Sequence, residues 1–193
     1  MAKLFFRYGS MSSGKSLDLL RVKYNYTERG KKVIVFTSAK DNRYGINVVK
    51  SRTGLQSDAI GVDNTFNIFE YIINLSFKSE QPDCVLVDEV QFFTKEQIHQ
   101  LSDIVDKLDI PVIAYGLRSD FQLMPFEGST HMLILSDQIE ELKTLCHNCN
   151  KKAVLNIRCE NGRIVAEGEQ VKIGGNESYI SLCRRCYKKM IGD

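Results

Sequence analysis

Residues 3–8 place apolar and aromatic side chains in a nearly unbroken run, the mark of a short buried strand, and Gly9 to Ser16 that follow are mostly small. Residues 17–26 carry enough long side chains for a helix, so the chain opens as strand, tight loop, helix. Val33-Ile34-Val35-Phe36 is continuously apolar, as in a central parallel strand covered on both faces. Cys84-Val85-Leu86-Val87 and Val112-Ile113-Ala114-Tyr115 repeat that pattern. Ahead of the last run, residues 94–109 read as a helix with Ile98, Leu101, Val105 and Leu108 on one face, and Thr94 and Gln97 are spaced for a capping box. Strands alternating with helices imply right-handed crossovers and a parallel sheet, whose ligands lie beyond the carboxyl ends of the strands. Between Lys40 and Asn64 the pattern fades into polar residues with interspersed glycines, which predicts a long mobile segment rather than a packed element. After Cys146 the texture changes to short alternating strands, with a turn expected at Glu160-Asn161-Gly162 and a glycine pair at Gly174-Gly175.

Composition adds bounds to this outline. The chain of 193 residues is long enough for one main domain and a small appendage, and with 43% apolar and 26% charged residues it is globular in type. No apolar run approaches the ~20 residues of a spanning helix, and no basic leader precedes the first strand. A cytoplasmic protein without a membrane partner is the expectation. Four of the six cysteines fall as two C-x-x-C pairs, which in a reducing compartment favours metal over disulfides; Cys84 and Cys159 read as structural. The formal charge is +2, and four thiolates around one zinc ion bring the total to about zero. Net basicity therefore gives no argument for a nucleic-acid partner.

Three motifs carry chemistry. Gly9-Ser10-Met11-Ser12-Ser13-Gly14-Lys15-Ser16 matches G-x-x-x-x-G-K-[ST] where a strand hands over to a helix. Glycines let backbone N–H groups curl around an anion, Lys15 reaches the β- and γ-phosphates of a nucleotide, and Ser16 can ligate Mg²⁺. Asp88-Glu89 closes the third apolar run at the same sheet edge, where the Asp can hold Mg²⁺ and the Glu can accept the proton of an attacking hydroxyl. Gln91-Phe92-Phe93 follows and could floor a base pocket, with core packing as the plainer reading. Cys146, Cys149, Cys183 and Cys186 suit tetrahedral zinc with four sulfur ligands, a structural site that pins short hairpins. His147 lies within the first pair but is not needed as a ligand; His99 and His131 read as bystanders. Arg184, Arg185, Lys188 and Lys189 read as a solvated face. The fold class expected is α/β: a P-loop, RecA-like parallel sheet with helices on both faces in residues 1–143, plus a small zinc-binding lobe in residues 144–193.

Taken in order, the phosphate loop, Asp88-Glu89-x-Gln91-Phe92-Phe93 and the two cysteine pairs resemble the zinc-containing type II thymidine kinases over essentially the whole chain. Asp41-Asn42-Arg43-Tyr44, Phe121-Gln122 and Pro125-Phe126 within residues 117–126, and Ile173-Gly174-Gly175 ahead of Tyr179 also fall where that family places them. The resemblance implies transfer of the ATP γ-phosphate to the 5′-hydroxyl of thymidine, or of deoxyuridine, with Glu89 as general base. Lys15, Ser16 and Asp88 would organise Mg-ATP, with Asp41, Asn42, Arg43 and Gln91 assisting. Residues 117–126 would form a lasso loop over the nucleoside. Met11, Phe92, Leu117, Phe121, Phe126, Asn156 and Tyr179 would surround base and sugar, and Gln170, Val171, Lys172, Ile173 and Gly174 would add largely main-chain hydrogen bonds. It further implies a homotetramer, feedback inhibition by thymidine triphosphate and a role in nucleotide salvage. Ser10 and Ser12 stand where Pro and Phe are usual, Asn156 where Thr is common and Arg52 where His often appears. These departures bear on loop stiffness and on discrimination among pyrimidines. Two other classes fit parts of the pattern: a nucleic-acid-dependent ATPase with a zinc ribbon, and a zinc-ribbon binding module with a vestigial nucleotide site.

Overall fold

The computed structural model describes residues 1–41, 45–160, 163–165, 167–168, 170 and 179–192. Its main sheet contains β1 (Leu4–Tyr8), β2 (Val33–Ser38), β5 (Ile60–Val62), β6 (Cys84–Val87), β7 (Val112–Gly116) and β8 (Gln138–Glu141), all paired in parallel in the order β5-β2-β6-β7-β1-β8. Strand residues alternate between the two faces. Val85 and Val87 of β6 turn to one face, against α2 (Ile68–Phe77), α3 (Lys95–Leu108) and α4 (Glu127–Leu135). Cys84 and Leu86 turn to the other, against Leu19, Leu20 and Val22 of α1 (Lys15–Thr27). Both faces are therefore covered, which is why the central strands read as unbroken apolar runs.

The capping box of α3 forms as its spacing predicts: Thr94 Oγ1 accepts from Gln97 N–H at 3.2 Å and Gln97 Oε1 accepts from Thr94 N–H at 3.1 Å. Gln97 Nε2 also donates to the Asp63 carbonyl at 2.7 Å, so one side chain caps a helix and ties down the segment before α2. Among the described residues no helix is long and apolar enough to cross a membrane.

The described residues between Lys40 and Asn64 depart from the expected looseness. They contain β3 (Val48–Lys50) and β4 (Gln56–Asp58), paired antiparallel, and β5, which joins the main sheet beside β2. Val49 and Val62 are buried and supply their apolar anchors. Polar side chains hold the backbone, with Asn47 Oδ1 accepting from Gly61 N–H at 2.9 Å and the Ser51 hydroxyl donating to the Leu55 carbonyl.

The remaining chain forms a smaller unit. Here β9 (Leu155–Glu160) pairs antiparallel with β10 (Arg163–Ile164) and β11 (Tyr179–Leu182), and α5 (Arg184–Ile191) follows. Arg163 opposes Glu160 across the expected turn, whose Asn161 and Gly162 lie outside the described residues, as do Gly174 and Gly175. This unit has its own apolar cluster of Ala153, Leu155, Ile157, Leu182, Cys146 and Cys183. Arg184, Arg185, Lys188 and Lys189 lie exposed on α5.

Candidate active site

The loop from Gly9 to Ser16 leaves the carboxyl end of β1 and runs into α1, whose N-cap is Gly14 in the left-handed region at φ 80°. A side chain there would be strained, so glycine is the natural residue for turning the loop into the helix. Lys15 is only 8% exposed, and its ammonium donates to the carbonyls of Gly9 at 3.2 Å and Ser10 at 3.0 Å. The cation is thus folded back over the loop that its charge would serve. The hydroxyls of Ser10 and Ser13 are buried without a hydrogen-bond partner among the described residues. Buried polar atoms of this kind normally find partners, and a polyanion seated in the loop would supply acceptors. Arg52 Nη1 donates to Ser12 Oγ at 2.7 Å, bringing the β3–β4 hairpin against the loop.

Across the sheet edge, the hydroxyl of Ser16 donates to Asp88 Oδ2 at 2.8 Å. Asp88 is 4% exposed, and burial, reinforced by the neighbouring Glu89 charge, pushes its carboxyl up to about 7. A buried hydroxyl–carboxylate pair beside an anion cradle fits a hard divalent cation with oxygen ligands, whose charge would favour the carboxylate form. Glu89 sits at φ 52°, ψ 38°, a left-handed conformation rare for a non-glycine residue and the kind of strain found at functional sites. Gln91 is 2% exposed and engaged at both ends of its amide. Nε2 donates to Glu89 Oε2 at 2.5 Å, and Oε1 accepts from Leu117 N–H at 3.0 Å. One side chain therefore joins the carboxylate to the first residue of the loop between β7 and α4.

That loop, residues 117–126, is organised by a residue the sequence reading did not single out. Asp120 is buried; its Oδ1 accepts from the N–H groups of Gln122 and Met124, both at 2.9 Å, and its Oδ2 accepts from Gln170 Nε2 at 2.9 Å. An aspartate at a loop turn was the available signal. Of the expected aromatics, Phe92 and Phe126 meet edge-to-face at 5.7 Å, and Phe121 and Tyr179 meet at 6.5 Å. Arg158, also unanticipated, lies 4.0 Å over the Phe121 ring and donates through Nε to the Tyr179 hydroxyl at 3.0 Å. Met11 joins the two units of the fold: its N–H donates to Asn156 Oδ1 at 2.7 Å and its carbonyl accepts from the Ser181 hydroxyl at 2.8 Å. Asp41 follows the carboxyl end of β2 at this same sheet edge, its N–H bonded to the Ser38 carbonyl. Asn42 and Arg43, and Val171, Lys172, Ile173 and Gly174, lie outside the described residues.

The four cysteines converge. The Sγ atoms of Cys146, Cys149, Cys183 and Cys186 all lie within 4.8 Å of one another, with 3.6 Å between Cys149 and Cys186 and 3.7 Å between Cys149 and Cys183. Sulfur ligands bonded at ~2.3 Å to a tetrahedral ion stand ~3.8 Å apart, so the donor set has the size of a four-sulfur metal site. Burial opposes ionisation of Cys146, but backbone N–H groups around it prevail and bring it down to about 6. Hydrogen bonding with Cys149 and Cys183 instead pushes Cys186 up to about 12. Thiols this close cannot all ionise without a cation between them.

A parallel sheet with a phosphate loop at one strand end, an Asp-Glu pair at the next but one and a four-cysteine group beyond defines a P-loop nucleotide-binding protein with a metal-binding lobe. Comparison with known proteins gives the class a particular member: the family model for thymidine kinase matches residues 2–187. The chain belongs to the thymidine kinase family. It is 49% identical over 187 residues to thymidine kinases of Streptococcus pyogenes serotype M3 and Streptococcus agalactiae serotype Ia, covering 97% of each chain in both cases. Among solved structures, AMPPCP-bound DnaA from Aquifex aeolicus aligns with a TM-score of 0.42 at 16% identity, over 74% of this chain and 40% of that one.

Proposed function

We propose that this protein transfers the γ-phosphate of ATP to the 5′-hydroxyl of thymidine, with Glu89 as the base that takes the hydroxyl proton. The observation that carries the reading is the Gln91 bridge, which ties the Glu89 carboxylate to the first residue of the loop between β7 and α4. Transfer of a phosphoryl group asks the protein mainly for positioning and charge stabilisation. Lys15 exchanges its contacts with the Gly9 and Ser10 carbonyls for the β- and γ-phosphates, where its charge opposes that developing on the transferred group. Ser16 and Asp88 would hold Mg²⁺, which would supply charge neutralisation when bound. Gly9 to Gly14 cradle the phosphates, with support from Asp41, Asn42 and Arg43, which follow β2 in the sequence.

On the acceptor side, residues 117–126 close over the nucleoside from their anchor at Gln91, and the edge-to-face pairs Phe92–Phe126 and Phe121–Tyr179 enclose the ring. Residues 170–174 add main-chain hydrogen bonds to the base. The cysteine quartet holds zinc in a structural role, since four sulfurs leave no open position for a substrate. The rest of the reading comes with the family: a cytoplasmic salvage enzyme, a homotetramer, and feedback inhibition by thymidine triphosphate.

Radiolabelled phosphate transfer from ATP to each of the four deoxynucleosides tests this directly. Thymidine should be the preferred acceptor, and Glu89→Gln should lower kcat by about a hundredfold or more while ATP still binds. ATP turnover driven by single-stranded DNA in the absence of thymidine would overturn the reading in favour of a nucleic-acid motor.

A further inference from the structure

Asn156 and Ser181 face each other in register across β9 and β11, and both reach the same residue of the other unit. The Asn156 carboxamide oxygen takes the Met11 N–H at 2.7 Å, and the Ser181 hydroxyl gives its proton to the Met11 carbonyl at 2.8 Å. The two side chains are 5% and 9% exposed. A cross-strand pair thereby satisfies both main-chain polar groups of one phosphate-loop residue.

We infer that Asn156 and Ser181 are positioning residues that hold the phosphate loop in its nucleotide-receiving shape. The loop needs such a hold. Immediately after Met11 come Ser12 at φ 63° and, two residues on, Gly14 at φ 80°. A non-glycine residue in the left-handed region is strained, so the loop would relax if nothing outside it fixed the preceding peptide. The local hydrogen bond between Ser13 N–H and the Ser10 carbonyl is long, at 3.3 Å. With its N–H already spent on Asn156, Met11 does not donate to a phosphate through its backbone. It serves as the fixed point from which the neighbouring donors are aimed. The clamp also places the loop under the control of the strands that carry Tyr179, so nucleotide cradle and nucleoside wall share one support. The second Cys-x-x-Cys pair begins immediately after β11, and the Ser181 carbonyl accepts from His147 N–H within the first pair, so both knuckles hold the strand bearing the clamp.

The inference rests on the kinase reading only for turnover; its binding consequence stands alone. The test uses the full-length, zinc-loaded protein and measures the Kd of a non-hydrolysable ATP analogue with Mg²⁺ by calorimetry. Asn156→Ala, Ser181→Ala, Ser181→Thr and the double alanine variant are compared with the parent, with zinc content and Tm recorded for each. Each single alanine change should weaken the analogue about tenfold with the zinc complement intact, as expected for a buried hydrogen bond lost. Ser181→Thr, which keeps the hydroxyl, should restore parental affinity. The double variant should be little worse than either single one, because both bonds hold one peptide. Unchanged affinity in both single variants, failure of Ser181→Thr to restore it, or a loss that follows zinc depletion would overturn the inference. A parent protein that binds the analogue but phosphorylates no thymidine would count against the kinase reading alone.

Discussion

Gln91 illustrates how much a single side chain decides here. Its amide meets Glu89 with the donor end and Leu117 with the acceptor end, and the residue is 2% exposed. Gln91→Ala removes the amide that links the Glu89 carboxylate to the Leu117 N–H. A hydrogen bond to a charged group contributes ~1.5–3 kcal/mol, so kcat should fall about tenfold or more while the Kd for ATP changes little. Steady-state kinetics beside analogue titration separate the two. Away from the site, Asp18 anchors α1 to β1 and β7 through Arg7 and Tyr115. Burial pulls its carboxyl up, but hydrogen bonds from Arg21 and Tyr115, with the charge of Arg7, outweigh that and hold it below the usual carboxylate range. A depressed folded pKa stabilises the protein above the unfolded value of ~3.9 and ceases to do so as pH falls through the lower folded value. Asp18→Asn should therefore lower Tm at pH 7, and its gap to the parent should close as the pH drops below about 4; thermal melts across that range measure it.

The elements differ in how openly they declare themselves. β2, β6 and β7 are legible because strands covered on both faces must be apolar throughout, and α3 because its stripe and its Thr94–Gln97 box agree. α2 hides because apolar residues surround much of Ile68–Phe77 and give it little helical stripe, while β8, Gln-Ile-Glu-Glu at the sheet edge, has no buried face to reveal it. β5 is three residues long and owes its place to pairing with β2, a tertiary fact. The same division runs through the site. The phosphate loop, Asp88-Glu89 and the cysteine pairs are local in sequence and were readable; Arg158 and Ser181 acquire their partners only when distant segments meet, as Asp120 does for its bond to Gln170. One element contact carries a prediction with a definite sign. A Cβ on Gly128 of α4 would lie 2.3 Å from the Val90 carbonyl oxygen and 2.8 Å from that of Phe93, backbone atoms of the turn that carries Glu89 and Phe92 at its start and middle. Helix propensity alone favours alanine over glycine by ~1 kcal/mol, so a simple helix would gain from Gly128→Ala. Steric overlap with main chain should reverse that, lowering both Tm and kcat, and a stabilised variant with full activity would contradict the packing.

At the scale of the molecule, two units of unequal strength share one site. The sheet of six strands has apolar clusters on both faces, whereas the smaller unit rests on a cluster of a few side chains that includes two of its own cysteines. A core of that size contributes too little to stand against chain entropy, and an ion bound by the four cysteines would make up the difference. The smaller unit should therefore fail first when the ion is removed, and it should take function with it, because β9 and β11 supply the Met11 clamp and Tyr179. Chelation should lower Tm by on the order of 10 °C, as expected for several kcal/mol lost from a chain of this length. Cys183→Ser should do the same without chelator. Added zinc should restore the chelated parent but not the variant, and far-UV circular dichroism should retain most of the helical signal, since α1 to α4 belong to the larger unit. Thymidine phosphorylation and analogue binding should fall together across a chelator titration, at concentrations where that helical signal persists. Retention of both activities in fully metal-free protein would mean that the larger unit shapes the phosphate loop unaided.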